Sequence, residues 1–367
     1  MTLASQDALR INVLLANKPQ AIRIHESSMT LYGLSEKGEL KVELNPNCRD
    51  EQYIKKVKEL LSGYVLGSPG GYPVYLQRWT RMGQMRDDNL EQLLLLGEPE
   101  AVIALACASG ITNELARRAW WALEDAGNAR RMLISEAVKQ GEMGPVLAAY
   151  LVEYLPFESE PEQMMMTVAL VLQPGLIDAD MKTGLWKKSQ RKNPYLVGFL
   201  SSCADSIPDQ QPASSFYLHL KSAIDDENSV AQLLLRVMSP SGQAFLATAI
   251  KVLNKPTTQE MVTTTLDVLA DYFSAMRPDG RVDETLDKLE QDAEDCINTA
   301  PNELLAIIRK CADCEQQLYS MRLLSGLSYG VIRPCLGDST AIGSLMRRKL
   351  EPVMTPLLQH IKNLQHG

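Results

Sequence analysis

Apolar and polar residues alternate near the start of the chain, which predicts β-strands. The segment AIRIHES (21–27) reads as one strand, and MTLYGLSEKGELKVELN (29–45) reads as two strands around a tight turn. On the last strand the two faces differ: Leu40, Val42 and Leu44 lie on one, Lys41 and Glu43 on the other. This period of two is typical of a half-buried strand. We predict a small antiparallel sheet that packs on other elements, because an isolated hairpin is marginally stable in water.

The apolar spacing changes to three and four after this segment, which predicts helices. In DEQYIKKVKELLSGYV (50–65), Ile54, Val57 and Leu61 fall on one helical face. From residue 88 onward, apolar segments of about 11 to 15 residues are separated by Gly, Pro, Asn or Ser. This spacing resembles the antiparallel helix pairs of HEAT-type repeats, although a strict repeat signature is missing. We therefore expect irregular helical pairs here.

A polar stretch, SIPDQQPASS (206–215), provides the clearest domain boundary. The predicted fold is mainly α, with irregular HEAT-like helical pairs followed by a helical bundle and a small N-terminal antiparallel β element. Three domains follow from this: a small α+β head with a Gly-rich connector (1–87), a HEAT-like helical array (88–205) and a C-terminal helical bundle (216–367).

The composition is that of an ordinary soluble globular protein. The chain has 367 residues, of which 45% are hydrophobic and 22% charged, and its formal net charge is −8. That charge excludes a globally basic nucleic-acid-binding protein. Asp7 and Arg10 interrupt any export signal, and no run reaches the roughly 18 apolar residues of a membrane helix. We expect a cytoplasmic protein without membrane insertion. Its seven cysteines, an odd number, argue against a disulfide framework.

The glycine-rich stretch LGSPGGYPVYLQRWTRMGQ (66–84) resembles a phosphate-binding loop only superficially. It lacks the lysine and hydroxyl of a Walker loop, and it lacks the strand and glycine spacing of a dinucleotide fingerprint. One interpretation is a proline-fixed turn. The other is a recognition loop in which Arg78, Trp79 and Arg81 stack on a partner and bind phosphate or carboxylate.

Two basic clusters are candidate binding surfaces. Arg117 and Arg118 fall in one predicted helix, and Lys187 and Lys188 follow Trp186 in another. Basic residues with aromatic neighbours can bind an RNA backbone or an acidic protein surface. The alternative is an ordinary solvated helix surface.

Cys311 and Cys314 form the sequence CADC and are candidate thiols. The pattern places both on one face of a helix, in its middle, where no helix dipole lowers a thiol pKa. Structural cysteines, a metal site that recruits Cys296 and Cys335, and thiol chemistry all remain open. No catalytic, metal-binding or cofactor motif occurs elsewhere, and the four histidines are far apart. We therefore predict no catalytic residues, no metal and no cofactor.

Six segments of the first 205 residues are distinctive: HESSMTLYGLSEKGE, LNPNCRDEQYIKKVKELLSGYVLGSPGGYPVYLQRWTRMGQ, LGEPEAV, ELARRAWWAL, MGPVLAAYLVEYLPFE and RKNPYLVGFL. Together they resemble the DsrS-type sulfur reduction protein, a family encoded alongside dissimilatory sulfite reductase genes in sulfur-oxidising bacteria. The resemblance covers about residues 10 to 205, and the long glycine–tryptophan stretch is its most specific part. It implies a soluble cytoplasmic protein tied to sulfur oxidation, and it brings no established catalytic activity.

The expected function is that of a non-enzymatic accessory or regulatory protein of dissimilatory sulfur oxidation, acting through a protein partner. Two alternatives remain at this point. One is an RNA-binding post-transcriptional regulator that uses the basic clusters. The other is a thiol-dependent sulfur carrier that uses Cys311 and Cys314.

Overall fold

The protein is mainly α, with one small antiparallel sheet near its N-terminus. A computed structural model describes residues 3–67, 90–223, 228–280, 282–299, 302–310, 314–337 and 339–365. Helices account for 66% of the described residues, and the described sheet has three strands. The predicted fold class is therefore confirmed.

The chain divides into two compact units, Met1–Tyr154 and Leu155–Gly367. Their boundary lies inside the segment predicted as a helical array. The predicted division into 1–87, 88–205 and 216–367 is not tested by these two units and stays a prediction.

The first unit contains the sheet and eight described helices. Its strands are β1 (Ala21–His25), β2 (Thr30–Ser35) and β3 (Gly38–Glu43). Its helices are α1 (Ser5–Ala16), α2 (Asp50–Leu66), α3 (Leu90–Leu93), α4 (Pro99–Ala106), α5 (Asn113–Ala122), α6 (Ala126–Met132), α7 (Glu136–Lys139) and α8 (Met143–Tyr154). The strands pair in the order β1-β2-β3, all antiparallel, and Ser35 pairs with Gly38 across the turn.

One face of the sheet is buried against α1 and α2. The alternation seen in the sequence places Ile22, Leu31 and Val42 on this face, where all three are buried. The helix α1 packs directly on the central strand, since a Cβ atom at Gly33 would lie 3.1 Å from Leu14 Cδ2. The sheet is thus stabilised by the two helices that flank it in sequence.

A buried carboxylate joins α1 to α2. Asp7 is fully buried and accepts hydrogen bonds from the Tyr53 hydroxyl at 2.6 Å and from the backbone N–H of Asn45, also at 2.6 Å. Burial of Asp7 favours its neutral form, but these hydrogen bonds outweigh it and lower the pKa of Asp7. The same contact and burial raise the pKa of Tyr53 to about 12. The carboxylate is therefore charged and bound at neutral pH.

The second unit is helical in all its described regular elements. They are α9 (Pro161–Val171), α10 (Ala179–Ser189), α11 (Asn193–Ser202), α12 (Tyr217–Ala223), α13 (Ser229–Met238), α14 (Pro240–Asn254), α15 (Gln259–Tyr272), α16 (Leu286–Asn298), α17 (Asn302–Lys310), α18 (Glu315–Leu324), α19 (Tyr329–Leu336) and α20 (Gly343–Asn363), with short 3-10 helices at Leu155–Phe157 and Ser274–Met276. Residues Pro194 to Leu200 of α11 are all buried. A helix buried on every face lies at the centre of a core, so α11 is a central helix of this unit.

Among the described residues, no single helix is long and apolar enough to span a membrane. The pair α13 and α14 reaches that length and hydropathy only when the two helices are combined, and they are bent by 72° where they meet.

Candidate binding pocket at the edge of the sheet

Strand β1 is an edge strand of the described sheet. The backbone N–H of Ile22 donates to the Leu94 carbonyl at 2.8 Å and not to β2. The N–H and C=O groups of successive strand residues point alternately toward one neighbouring strand and toward the other side. The N–H and C=O groups of Ile22 and Ile24 therefore both point away from β2. Leu94 accepts from Ile22, whereas Ile24 has no outward backbone partner among the residues that the structure describes. An unpaired edge of this kind can pair with another extended chain.

A cavity of about 420 Å³ lies beside this edge, within the first unit. It is formed by β1, by the start of α4 and by the end of α5. The lining residues are Ile22 to Glu26, Gly97 to Pro99, Val102, and Trp121 to Glu124. This cavity, which we call the β1-edge pocket, therefore combines an edge strand with helical walls.

Arg23 is a fixed part of the pocket wall. Its guanidinium carbon lies 4.6 Å from the ring centre of Trp121 and 5.0 Å from that of Tyr32. It donates to the Glu39 carboxylate at 2.7 Å and to the Trp121 carbonyl at 3.2 Å. The Trp121 indole N–H donates to the same Glu39 oxygen at 3.1 Å. Arg23 is thus neutralised and held between two rings.

The pocket lining is acidic. It contains one arginine, Arg23, and three glutamates, Glu26, Glu98 and Glu124. Glu124 is exposed at the rim, and Glu26 forms a salt bridge with Lys58 at 2.9 Å. Like charges repel, so this lining favours a cationic group over phosphate.

The first predicted basic cluster is already paired. Glu114 accepts from Arg117 at 2.7 Å and from Arg118 at 2.8 Å, and Arg118 also binds Glu91 at 3.2 Å. The hydrogen bond from Arg117, followed by that from Arg118, lowers the pKa of Glu114 to about 2. Both arginines lie on α5, which also carries Trp121.

The second predicted cluster is exposed on a helix surface. Lys187 and Lys188 are exposed in the last turn of α10, in the second unit. The neighbouring Trp186 packs edge-on against Phe199, with ring centres 5.0 Å apart. Its ring therefore contributes to the core of the unit, and the two lysines do not share a compact unit with Arg117 and Arg118.

The remaining predicted residues belong to two segments. Arg78, Trp79 and Arg81 lie outside the described residues, as does Cys311. Cys314 is fully buried and disulfide-bonded. The expectation that it lies in the middle of a helix is wrong, because the structure has separate helices α17 and α18 and Cys314 is the N-cap of α18.

One cluster resembles a catalytic triad but has no access to substrate. The Ser320 hydroxyl oxygen lies 3.4 Å from Nδ1 of His360, and Nε2 of His360 lies 3.9 Å from the Glu290 carboxylate. Ser320 is fully buried within α18. A nucleophile must reach the substrate, so we assign this cluster a structural role. The described residues contain no group of three or more His, Cys, Asp or Glu side chains that could hold a metal ion.

Sequence reasoning missed the wall formed by Arg23, Glu39 and Trp121. A partial signal was present: Arg23 is a polar position in an alternating strand, and Trp120 and Trp121 must point in different directions on a helix. The structure confirms that the two tryptophans separate, since Trp120 packs edge-on against Tyr150 at 4.7 Å. The pairing of Arg23 with Trp121 spans 98 residues, and no local pattern predicts it.

Comparison of the chain with protein-family models, with curated proteins and with solved structures finds no match in any of the three.

Proposed function

We propose that this protein is a non-enzymatic accessory or regulatory protein that binds a partner protein through the β1-edge pocket. The observation that carries the proposal is the outward backbone of Ile24, which has no backbone partner among the described residues, beside a walled, acidic cavity. The sequence resemblance to the DsrS-type family supports a partner from the bacterial sulfur-oxidation system and a cytoplasmic location.

The geometry fits an extended segment of the partner. Such a segment would add to β1 as a further strand, with Ile24 supplying a backbone donor and acceptor. Its alternate side chains would enter the cavity beside Trp121. A lysine or arginine among them would meet Glu124, so the partner segment is basic.

The RNA-binding alternative rests on Lys187 and Lys188, which are exposed. The pairing of Arg117 and Arg118 with Glu114 and the acidic pocket favour a protein partner over RNA. A gel-shift titration at low salt tests the alternative. RNA binding that falls steeply with salt and is lost when both lysines are changed to glutamate would support it.

The sulfur-carrier alternative requires an accessible thiolate. Cys314 is fully buried and disulfide-bonded, which argues against it as the nucleophile. Mass spectrometry after exposure to a persulfide donor tests this alternative. Added sulfur on Cys311 or Cys314 would support it.

The proposed function is tested by native pull-down and mass spectrometry from cells that are oxidising sulfur. Ile24→Pro removes the outward N–H without breaking a backbone hydrogen bond to β2, because this residue does not donate to β2. We expect Ile24→Pro to abolish capture of a sulfur-oxidation protein and Ile24→Val to retain it. Glu124→Lys should weaken capture, whereas Glu153→Lys, an exposed reversal on α8, should leave it unchanged.

Two results would overturn the proposal. One is that the wild-type protein captures no component of the sulfur-oxidation system. The other is that Ile24→Pro and Glu124→Lys capture the partner as well as the wild type does.

A further inference from the structure

Strand β3 forms the opposite edge of the described sheet. The backbone N–H of Leu44 donates to the Met29 carbonyl at 2.9 Å, which continues the ladder between β3 and β2. Even-numbered residues of β3 therefore face β2, and Glu39, Lys41 and Glu43 direct their backbone groups outward. Within the described ranges these outward groups have no backbone partner.

An apolar groove runs beside this edge. Because α1 packs over the central strand through Leu14, a cavity of about 550 Å³ remains between α1 and β3. Leu9 and Val13 line it and are 65% and 55% exposed. Because Leu9 and Val13 are four residues apart, they lie on one face of α1. Edge strands are normally shielded, yet here the shielding helix exposes two apolar side chains toward the edge.

The charged residues of β3 indicate which strand can pair with this edge. Lys41 and Glu43 lie on the outer face of the sheet, 2.8 Å apart, and have opposite charges. An identical strand in antiparallel orientation can place its Glu43 opposite Lys41 and its Lys41 opposite Glu43, with the two Val42 residues opposite each other. Both charged positions then fall at hydrogen-bonded pairs, as the outward backbone groups require. Moving the register by two residues would oppose Lys41 with Lys41, which is unfavourable.

We propose that two copies of this chain form a homodimer through antiparallel pairing of β3, with Lys41 of each copy opposite Glu43 of the other. The two three-stranded sheets then become one sheet of six strands. Leu9 and Val13 of both copies are buried over the new strand pair. This surface is separate from the β1-edge pocket, which lies at the other edge of the same sheet.

The test is the mass of the full chain in solution, measured by sedimentation velocity over a range of protein concentrations. The wild type should be dimeric. Lys41→Glu makes the edge wholly acidic and Glu43→Lys makes positions 41 and 43 both basic, so each variant alone should raise the dimer dissociation constant at least tenfold. An equimolar mixture of these two variants should form a dimer that contains one of each.

Controls separate the interface from folding. Lys55→Glu, an exposed change of the same type on α2, should leave the dimer intact. Leu9→Ser should weaken the dimer without lowering the thermal stability of the monomer, because Leu9 is exposed.

Ile24→Pro should remain dimeric, which distinguishes failure of this inference from failure of the partner-binding proposal. Two results would overturn the homodimer proposal. One is a wild type that is still monomeric at about 100 μM, a concentration at which even weak pairing of edge strands would be detected. The other is that the Lys41→Glu and Glu43→Lys variants, each measured alone, dimerise like the wild type.

Discussion

The indole N–H of Trp121 donates to the carboxylate of Glu39 at 3.1 Å, although 82 residues separate the two. Arg23 donates to the same oxygen at 2.7 Å and lies against the Trp121 ring. The end of α5 is thereby attached to the outer face of the sheet. The wall of the β1-edge pocket depends on this contact.

We predict that Arg23→Met lowers the free energy of unfolding of the first unit by about 1–2 kcal/mol, through loss of two ring contacts and a charge-assisted hydrogen bond. The side chain is partly exposed, which limits the effect. Urea denaturation measures it. Arg10→Met is the matched control, because Arg10 is exposed and forms no salt bridge within the described ranges, and should change stability by less than about 0.5 kcal/mol. Equal effects of the two changes would contradict the prediction.

Asp7→Asn should lower the free energy of unfolding by about 2–3 kcal/mol at pH 7, because a buried charged acceptor is lost. Hydrogen bonds lower the folded-state pKa of Asp7. Its stabilisation is therefore present above the ordinary pKa of 3.8 and is lost as the pH falls through the folded-state pKa.

Urea midpoints of wild type and Asp7→Asn, measured from pH 7 down to pH 3, test this pH dependence. The gap between the two proteins should narrow at the acidic end. A gap that stays constant over this range would show that the Asp7 carboxylate is not the stabilising group.

His360 should make the second unit less stable in mild acid. Burial lowers its pKa below 6.5, although the Glu290 carboxylate acts in the opposite direction. A histidine with a lowered folded-state pKa stabilises the protein fully above its unfolded pKa, and this stability is lost as the pH falls below about 6.5. The urea midpoint of the wild type should therefore decline between pH 7 and pH 5, and that of His360→Gln should decline less. Parallel pH profiles would contradict the assignment.

The sequence predicts elements well where one periodicity dominates and poorly where distant segments meet. The alternation of Leu40, Val42 and Leu44 with charged residues correctly predicted β3 and its buried face. The start of a helix directly after Cys314 was not predicted, because LLAIIRKCADCEQQLYSM contains no glycine or proline to mark it. The open edge of β1 was also beyond prediction, since it depends on which strand pairs with β2 and on the single bond from Ile22 to Leu94.

A close approach of α11 to α9 depends on Gly198. A Cβ atom at this position would lie 2.6 Å from Val168 Cβ and 3.0 Å from the Met165 carbonyl oxygen. Neither atom belongs to the flexible end of a side chain, so the helices would have to separate. We expect Gly198→Ala to destabilise the second unit by about 1–3 kcal/mol, the usual range for overpacking.

Gly184 is the matched control for that change. It is also helical, in α10, but a Cβ atom there would have no neighbour within 4 Å. Gly184→Ala should therefore stabilise the protein by about 0.5–1 kcal/mol, because alanine loses less conformational entropy in a helix. Opposite signs of the two urea-midpoint shifts would confirm that close helix packing, and not helix propensity, requires glycine at position 198. If Gly198→Ala also raised the midpoint, the two helices would have room to adjust and the packing argument would be wrong.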